Sequence, residues 1–325
     1  MIKFKKTIYI LISCFFIYLC LKDIPLKNLF ENLKFNSYSL FFAIFFLYII
    51  NFLKAHRLQI LLKNYKKKKF NHYLKPILLR QFLNTVFMGN IGEVITPVYL
   101  KKYFRCSYFE GLSIIISERI IDLAVITFIF GVALLFNELN LNTHIFFIYF
   151  SIYILLTFFF LFIVNFKKKI FLIPKKVISN FTLGYKYSIK NIKILYTSII
   201  LSFVIWSVFI LIDYLIFWSF EVTNPITSLP NIIFITGVIT LSQLIPAAPA
   251  SVGIFNYVVI ETIEAFYNAQ NILYDINVKT QLTSISIIAL LVFILPHITW
   301  GSYVFYKEAL SNFEYLKNYS KRYIK

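Results

Sequence analysis

Acidic residues are scarce in this chain, with Asp and Glu together numbering 14 among 325 residues. The four aspartates are widely scattered, so there is no Asp-x-Asp pair of the kind a sugar-nucleotide transferase uses to hold a metal ion. Cysteine is almost as rare. Cys14, Cys20 and Cys106 have neither a pairing pattern nor metal-ligand spacing, which excludes a disulfide framework and leaves them as small apolar residues. A Walker loop, an HExxH helix, a GxSxG elbow and a CxxC pair are all missing, so the sequence offers no soluble-enzyme chemistry and no cofactor or metal is expected. With 8 glycines and 9 prolines in the whole chain, any place where they gather marks a deliberate break.

What is abundant is apolar surface. Hydrophobic residues make up 59% and aromatics 20%, more than one water-soluble core of this length can hide. The reading is a polytopic, all-α integral membrane protein. Its net charge of +19 sits in short clusters between apolar runs, the pattern of cytoplasmic loops rather than of a nucleic-acid surface. The first run, Thr7 to Leu21 behind Lys3, Lys5 and Lys6, lacks a small-residue cleavage site and reads as a retained helix.

Runs long enough to cross a hydrocarbon core of about 30 Å occur at 7–22, 38–62, 112–136, 144–166, 194–220 and 280–306, giving six spans. Lys and Arg collect before the first span, in 63–75, 101–105 and 167–193, and after 306, which places both termini in the cytoplasm. The loops 137–143, 221–231 and 268–277 carry none and belong outside. The basic loops 63–75 and 101–105 then lie on one side, although the apolar segment 76–100 separates them. That segment must enter and return as a re-entrant hairpin, turning at Gly89 and Gly92 with Glu93 near its tip. By the same argument, Ile232–Ile245 and Gly253–Tyr267, interrupted by PAAPAS at 246–251, form a second hairpin entering from outside. The chain is thus one membrane domain, 1–325, built from inverted half-repeats at about 1–143 and 144–306, with 307–325 as a cytoplasmic tail. Such repeats place substrate sites where their broken helices meet.

Ionisable side chains inside the spans are the candidate functional residues. Glu118 and Asp122 share a helix face at i,i+4, and Arg119 reaches Asp122 at i,i+3, so one cation and two anions cluster. Glu93 joins them from the hairpin tip. Arg57, five residues from the end of its span, is expected to snorkel to the interface, and Arg80 to sit among headgroups. Asp213, Glu261 and Glu264 are candidates to line the same cavity from the other half. The basic connector 167–193 is expected to lie along the anionic inner leaflet.

GNIGEVITPVYLKKY followed by ISERIIDL resembles the paired "PGRxGE…R" and "ERxxDL" signatures of the lysylphosphatidylglycerol synthase transmembrane, or flippase-like, family. Arg57 and PAAPASVGIFN, similar to the family's "PxxPGxxGxxE" turn and containing Pro249 and Gly253, extend the resemblance over nearly the whole chain. Met88, Asn90, Thr96, Ala250 and Asn256 depart from those patterns. The resemblance implies translocation of lipids, aminoacylated or polyprenyl-linked, between leaflets of the cell membrane. On this reading the substrate-binding residues are Glu93, Glu118, Arg119, Asp122, Arg57, Gly89, Gly92, Pro249 and Gly253. Arg119 would hold the phosphate of an anionic or zwitterionic headgroup, and the carboxylates would position it or a cationic headgroup. Two alternatives compete: an integral-membrane transferase acting on a lipid-linked substrate, and an accessory subunit whose partner is an envelope-glycan or lipid-modifying enzyme.

Overall fold

A computed structural model of the chain describes residues 2–22, 24–25, 29, 35–87, 90–135, 175–188, 190–220, 226–243 and 248–323. Among these the regular structure is helical: α1 (Ile2–Leu21), α2 (Ser37–Leu61), α3 (Asn71–Val86), α4 (Ile91–Phe104), α5 (Tyr108–Leu135), α6 (Lys175–Ser188), α7 (Ile192–Ser219), α8 (Leu229–Ser242), α9 (Ile254–Ala269) and α10 (Ile276–Tyr323), with a single 3-10 turn at Pro249–Ser251. The expected span 144–166, the loop 137–143 and Gly89 lie outside the described residues.

Three stretches are long and apolar enough to cross a membrane by themselves: Ser37–Leu61, Ile192–Ser219 and Ile276–Glu308. Their outward faces are apolar too. Phe41, Phe45, Ile200, Leu291 and Leu295 are all exposed, a surface that suits hydrocarbon and would be costly in water. α5 has the length, at 28 residues, but carries Glu118, Arg119 and Asp122 among its apolar residues. Helix is the form such segments must take, because it satisfies every backbone donor within the segment.

α2 and α7 form the central antiparallel pair. The amide of Asn36, the N-cap of α2, donates to the Ser219 carbonyl at the far end of α7 (2.7 Å), while Arg57 near the other end of α2 reaches Ser202. Around this pair the neighbours match. α3 packs on α4 as α8 packs on α9, α2 on α3 as α7 on α8, and α4 on α5 as α9 on α10. α10 lies against α3 as α5 lies against α8, and α10 touches α2 as α5 touches α7. Exchanging α2 with α7, α3 with α8, α4 with α9 and α5 with α10 reproduces the same set of contacts among these eight helices. The two broken hairpins also meet, since α3 packs against the 3-10 turn Pro249–Ser251.

The backbone at the breaks differs in detail from the sequence expectation. Gly89 and Gly92 are expected to turn the first hairpin; among the described residues of the break the left-handed one is Asn90 (φ 54°), and Gly92 already belongs to α4. Its lack of a side chain serves packing instead. A Cβ there would collide with the Arg80 carbonyl of α3 and approach Asn84 Oδ1 to 2.6 Å, so the glycine sets how closely α3 and α4 approach. In the second break, left-handed conformations fall on Ala250 (φ 56°) and Ser251 (φ 55°) as well as Gly253 (φ 86°).

Candidate functional site

Three arginines and three carboxylates converge where α2, α3, α4 and α5 meet. Glu118 and Asp122, one turn apart on α5, do share a face, as their spacing requires. The cation they share is Arg57, not Arg119. Arg57 Nη2 donates to Glu118 Oε1 at 2.7 Å and to Asp122 Oδ2 at 2.9 Å, while Nη1 donates to Asp122 Oδ1 and to Ser202 of α7. Its side chain is 1% exposed, which corrects the expectation that it snorkels to an interface. Two carboxylates and a hydroxyl compensate for the desolvation of its guanidinium, a fork geometry that a lysine could not supply.

Arg80 of α3 is the second correction. It is buried in the cluster, with Nη1 donating to Glu118 Oε2 at 2.8 Å and Nη2 to Oε1 at 3.2 Å, and with Nη1 3.7 Å from Glu93 Oε2. Glu118 is thus clamped by two arginines and fully enclosed.

Arg119 points elsewhere. At 3.6 residues per turn its side chain is rotated about 100° from that of Glu118, and it pairs with Glu93 in the first turn of α4 rather than with Asp122. This pair is the accessible edge of the network, with Arg119 53% and Glu93 23% exposed, whereas Arg57, Arg80 and Glu118 are enclosed. Asn84 of α3 holds the edge in place by accepting from the Gly92 amide (2.7 Å) and donating to Glu93 Oε1 (3.5 Å). Thr96, one turn beyond Gly92, is buried and donates to the Gly92 carbonyl at 2.7 Å.

Arg80, Asn84 and Ser202 are the members that sequence reasoning did not assign to the site. A signal for Arg80 did exist: it interrupts the run Ile77, Leu78, Leu79, Leu83, all of them core residues. Ser202 gave none, being a small polar residue in a long apolar helix.

The remaining expected residues lie apart. Pro249 and Gly253 shape the second break, where Gly253 is buried against α1. A Cβ on it would lie 2.6 Å from the Ser13 carbonyl, and Ser13 Oγ accepts from the Ala248 amide at 2.9 Å. Asp213 is buried on α7, with Thr236 of α8 as its hydrogen-bond partner among the described residues. Glu264 lines a shallow surface hollow of about 450 Å³ with Asn268, Asn271 and Tyr274. The structure therefore does not bring Asp213 or Glu264 to the arginine cluster. Lys102 and Lys75 both reach Glu308 of α10. His297 contacts Thr85 Oγ1 at 3.4 Å.

Among curated proteins and among solved structures, no significant match was found. The family model for the lysylphosphatidylglycerol synthase TM region matches residues 7–274, taking in both hairpins and every charged residue of the cluster, and the chain belongs to that family.

Proposed function

We propose that this chain moves a membrane lipid with an anionic or zwitterionic headgroup between the leaflets of the cell membrane, without covalent chemistry. The observation that carries the proposal is the uneven exposure of the charge network. Arg57 and Arg80 are consumed by buried carboxylates, whereas Arg119 and Glu93 hold each other at an accessible edge. An exposed ion pair is worth little in itself, about 0–1 kcal/mol, so its partners can be exchanged. A phosphate can take the place of Glu93 on the Arg119 fork while a headgroup ammonium takes Glu93, and the acyl chains stay against the apolar outer faces of the helices.

The matched packing of α2–α5 and α7–α10 supports an inverted repeat, with α3–α4 and α8–α9 as re-entrant hairpins entering from opposite sides. The basic loops support an orientation with both termini in the cytoplasm. In this arrangement, alternating access is a rocking of the hairpins about the α2–α7 pair.

The test uses purified protein in vesicles carrying a headgroup-labelled phospholipid, with an impermeant quencher reporting which leaflet holds the label. Arg119→Met should keep the thermal stability of the parent and lose lipid movement, and Arg119→Lys should be impaired because a point charge cannot replace a planar fork. Lipid movement by Arg119→Met at the parental rate would refute the role of the exposed pair. Chemical conversion of the lipid would refute transport in favour of a transferase.

A further inference from the structure

Asp213 is the one acidic residue of α7, and the arginine network leaves it unexplained. It is 4% exposed on a membrane-spanning helix. No Lys, Arg or His among the described residues comes within ion-pair distance of it. The described elements packed against α7 offer it no counter-charge. α2 turns Lys54 and Arg57 inward, but the Lys54 ammonium lies over the Phe209 ring at 4.9 Å and Arg57 is bound to Glu118 and Asp122. α5 contributes Glu118, Arg119 and Asp122, already taken up in the cluster, and 123–135 hold no ionisable residue. α8 has none at all. An ionised carboxylate in this place would be an uncompensated buried charge.

The hydrogen-bond geometry points the same way. Thr236 Oγ1 lies 2.6 Å from Asp213 Oδ2 and 2.9 Å from the Ile232 carbonyl oxygen. A threonine hydroxyl has one proton and can donate only once. Each contact is a full hydrogen bond when Asp213 is protonated, because an ionised Asp213 would have to share the single hydroxyl proton with the Ile232 carbonyl. Thr236 then donates to Ile232, and a protonated Asp213 donates to Thr236.

Position adds a third observation. Asp213 on α7 and Arg57 on α2 stand at nearly the same depth from their helix N-caps, Asn191 and Asn36, each of which accepts a backbone amide. In the matched packing, Asp213 takes in one half the place that Arg57, bound to Glu118 and Asp122, takes in the other.

We propose that Asp213 is a proton-binding site, held as a neutral carboxylic acid at neutral pH, and that exchange of this proton with water accompanies the working cycle, making the proton the coupling ion of lipid movement. The coupling rests on the transport reading above, whereas the protonated state does not. Rocking of α8 against α7 would part Asp213 from Thr236 and admit water, letting the proton leave. Its return would close the contact again.

Infrared difference spectra of the purified protein at neutral pH test the protonated state alone. The parent should show a protonated-carboxyl C=O band, sensitive to deuterium exchange, that Asp213→Asn lacks. Thr236→Val, which removes the hydrogen-bond acceptor, should move that band to higher frequency. Asparagine mimics the neutral acid and should leave the protein folded. In vesicles, an imposed pH gradient should change the rate of lipid movement severalfold for the parent and not for Asp213→Asn. Identical carboxyl bands in the parent and Asp213→Asn would overturn the proton site. A full gradient response in Asp213→Asn would overturn the coupling. Presence of the band with no lipid movement by the parent in any gradient would uphold the proton site and refute the transport reading.

Discussion

Replacing Arg57 by methionine tests whether the buried half of the network is architectural. Methionine keeps much of the volume and removes the charge. Of the two carboxylates Arg57 holds, Glu118 keeps both of its bonds to Arg80 (2.8 and 3.2 Å), so a single anion, Asp122, is left stranded. Removing one partner of a buried pair costs about 3–5 kcal/mol, and the loss here falls within that range because Asp122 also loses two hydrogen bonds. Arg57→Met with Asp122→Leu should recover most of it, since no charge is then left unpaired. Arg119→Met is the contrast. Its guanidinium is half exposed and pairs with a partly exposed Glu93, so that variant should lose no more than about 1 kcal/mol. Thermal unfolding in detergent, read by intrinsic fluorescence, ranks the variants. Arg57→Met as stable as the parent, or Arg119→Met as damaged as Arg57→Met, would refute the division of the cluster into a buried frame and an accessible edge.

Ala250 and Ser251 adopt left-handed backbone that costs a residue with a Cβ roughly 1–2 kcal/mol. Ala250→Gly should therefore raise thermal stability by about 1 kcal/mol, and an unchanged melting temperature would show that the break relaxes without it. For topology, Leu273→Cys in a background lacking Cys14, Cys20 and Cys106 should react with an impermeant thiol reagent added to intact cells, and Lys67→Cys should not. Both positions are exposed, so labelling of Lys67→Cys from outside would reverse the orientation drawn from loop charge.

Membrane class, the helical form of the segments and the places where helices break were all legible in the sequence, because each rests on local quantities. Apolar run length, loop charge and the position of Gly and Pro need no knowledge of neighbours. The face shared by Glu118 and Asp122 was equally local, a consequence of helical periodicity. Local spacing failed at the pairing of charges. It joined Arg119 to Asp122 at i,i+3, whereas the structure gives Asp122 to Arg57, 65 positions away in sequence, and turns Arg119 to Glu93 on α4. The reason is the direction of the chain in space. α2 and α3 approach α5 on the face that carries the two acids, and α4 approaches on the face that carries Arg119. Which arginine is buried and which meets the solvent thus depends on how four helices pack, and Gly92, read as a hinge, proved to be the contact that lets two of them come so close. The residue types determined that charges would meet within the helical bundle, and tertiary packing decided which of them are enclosed and which stay exposed.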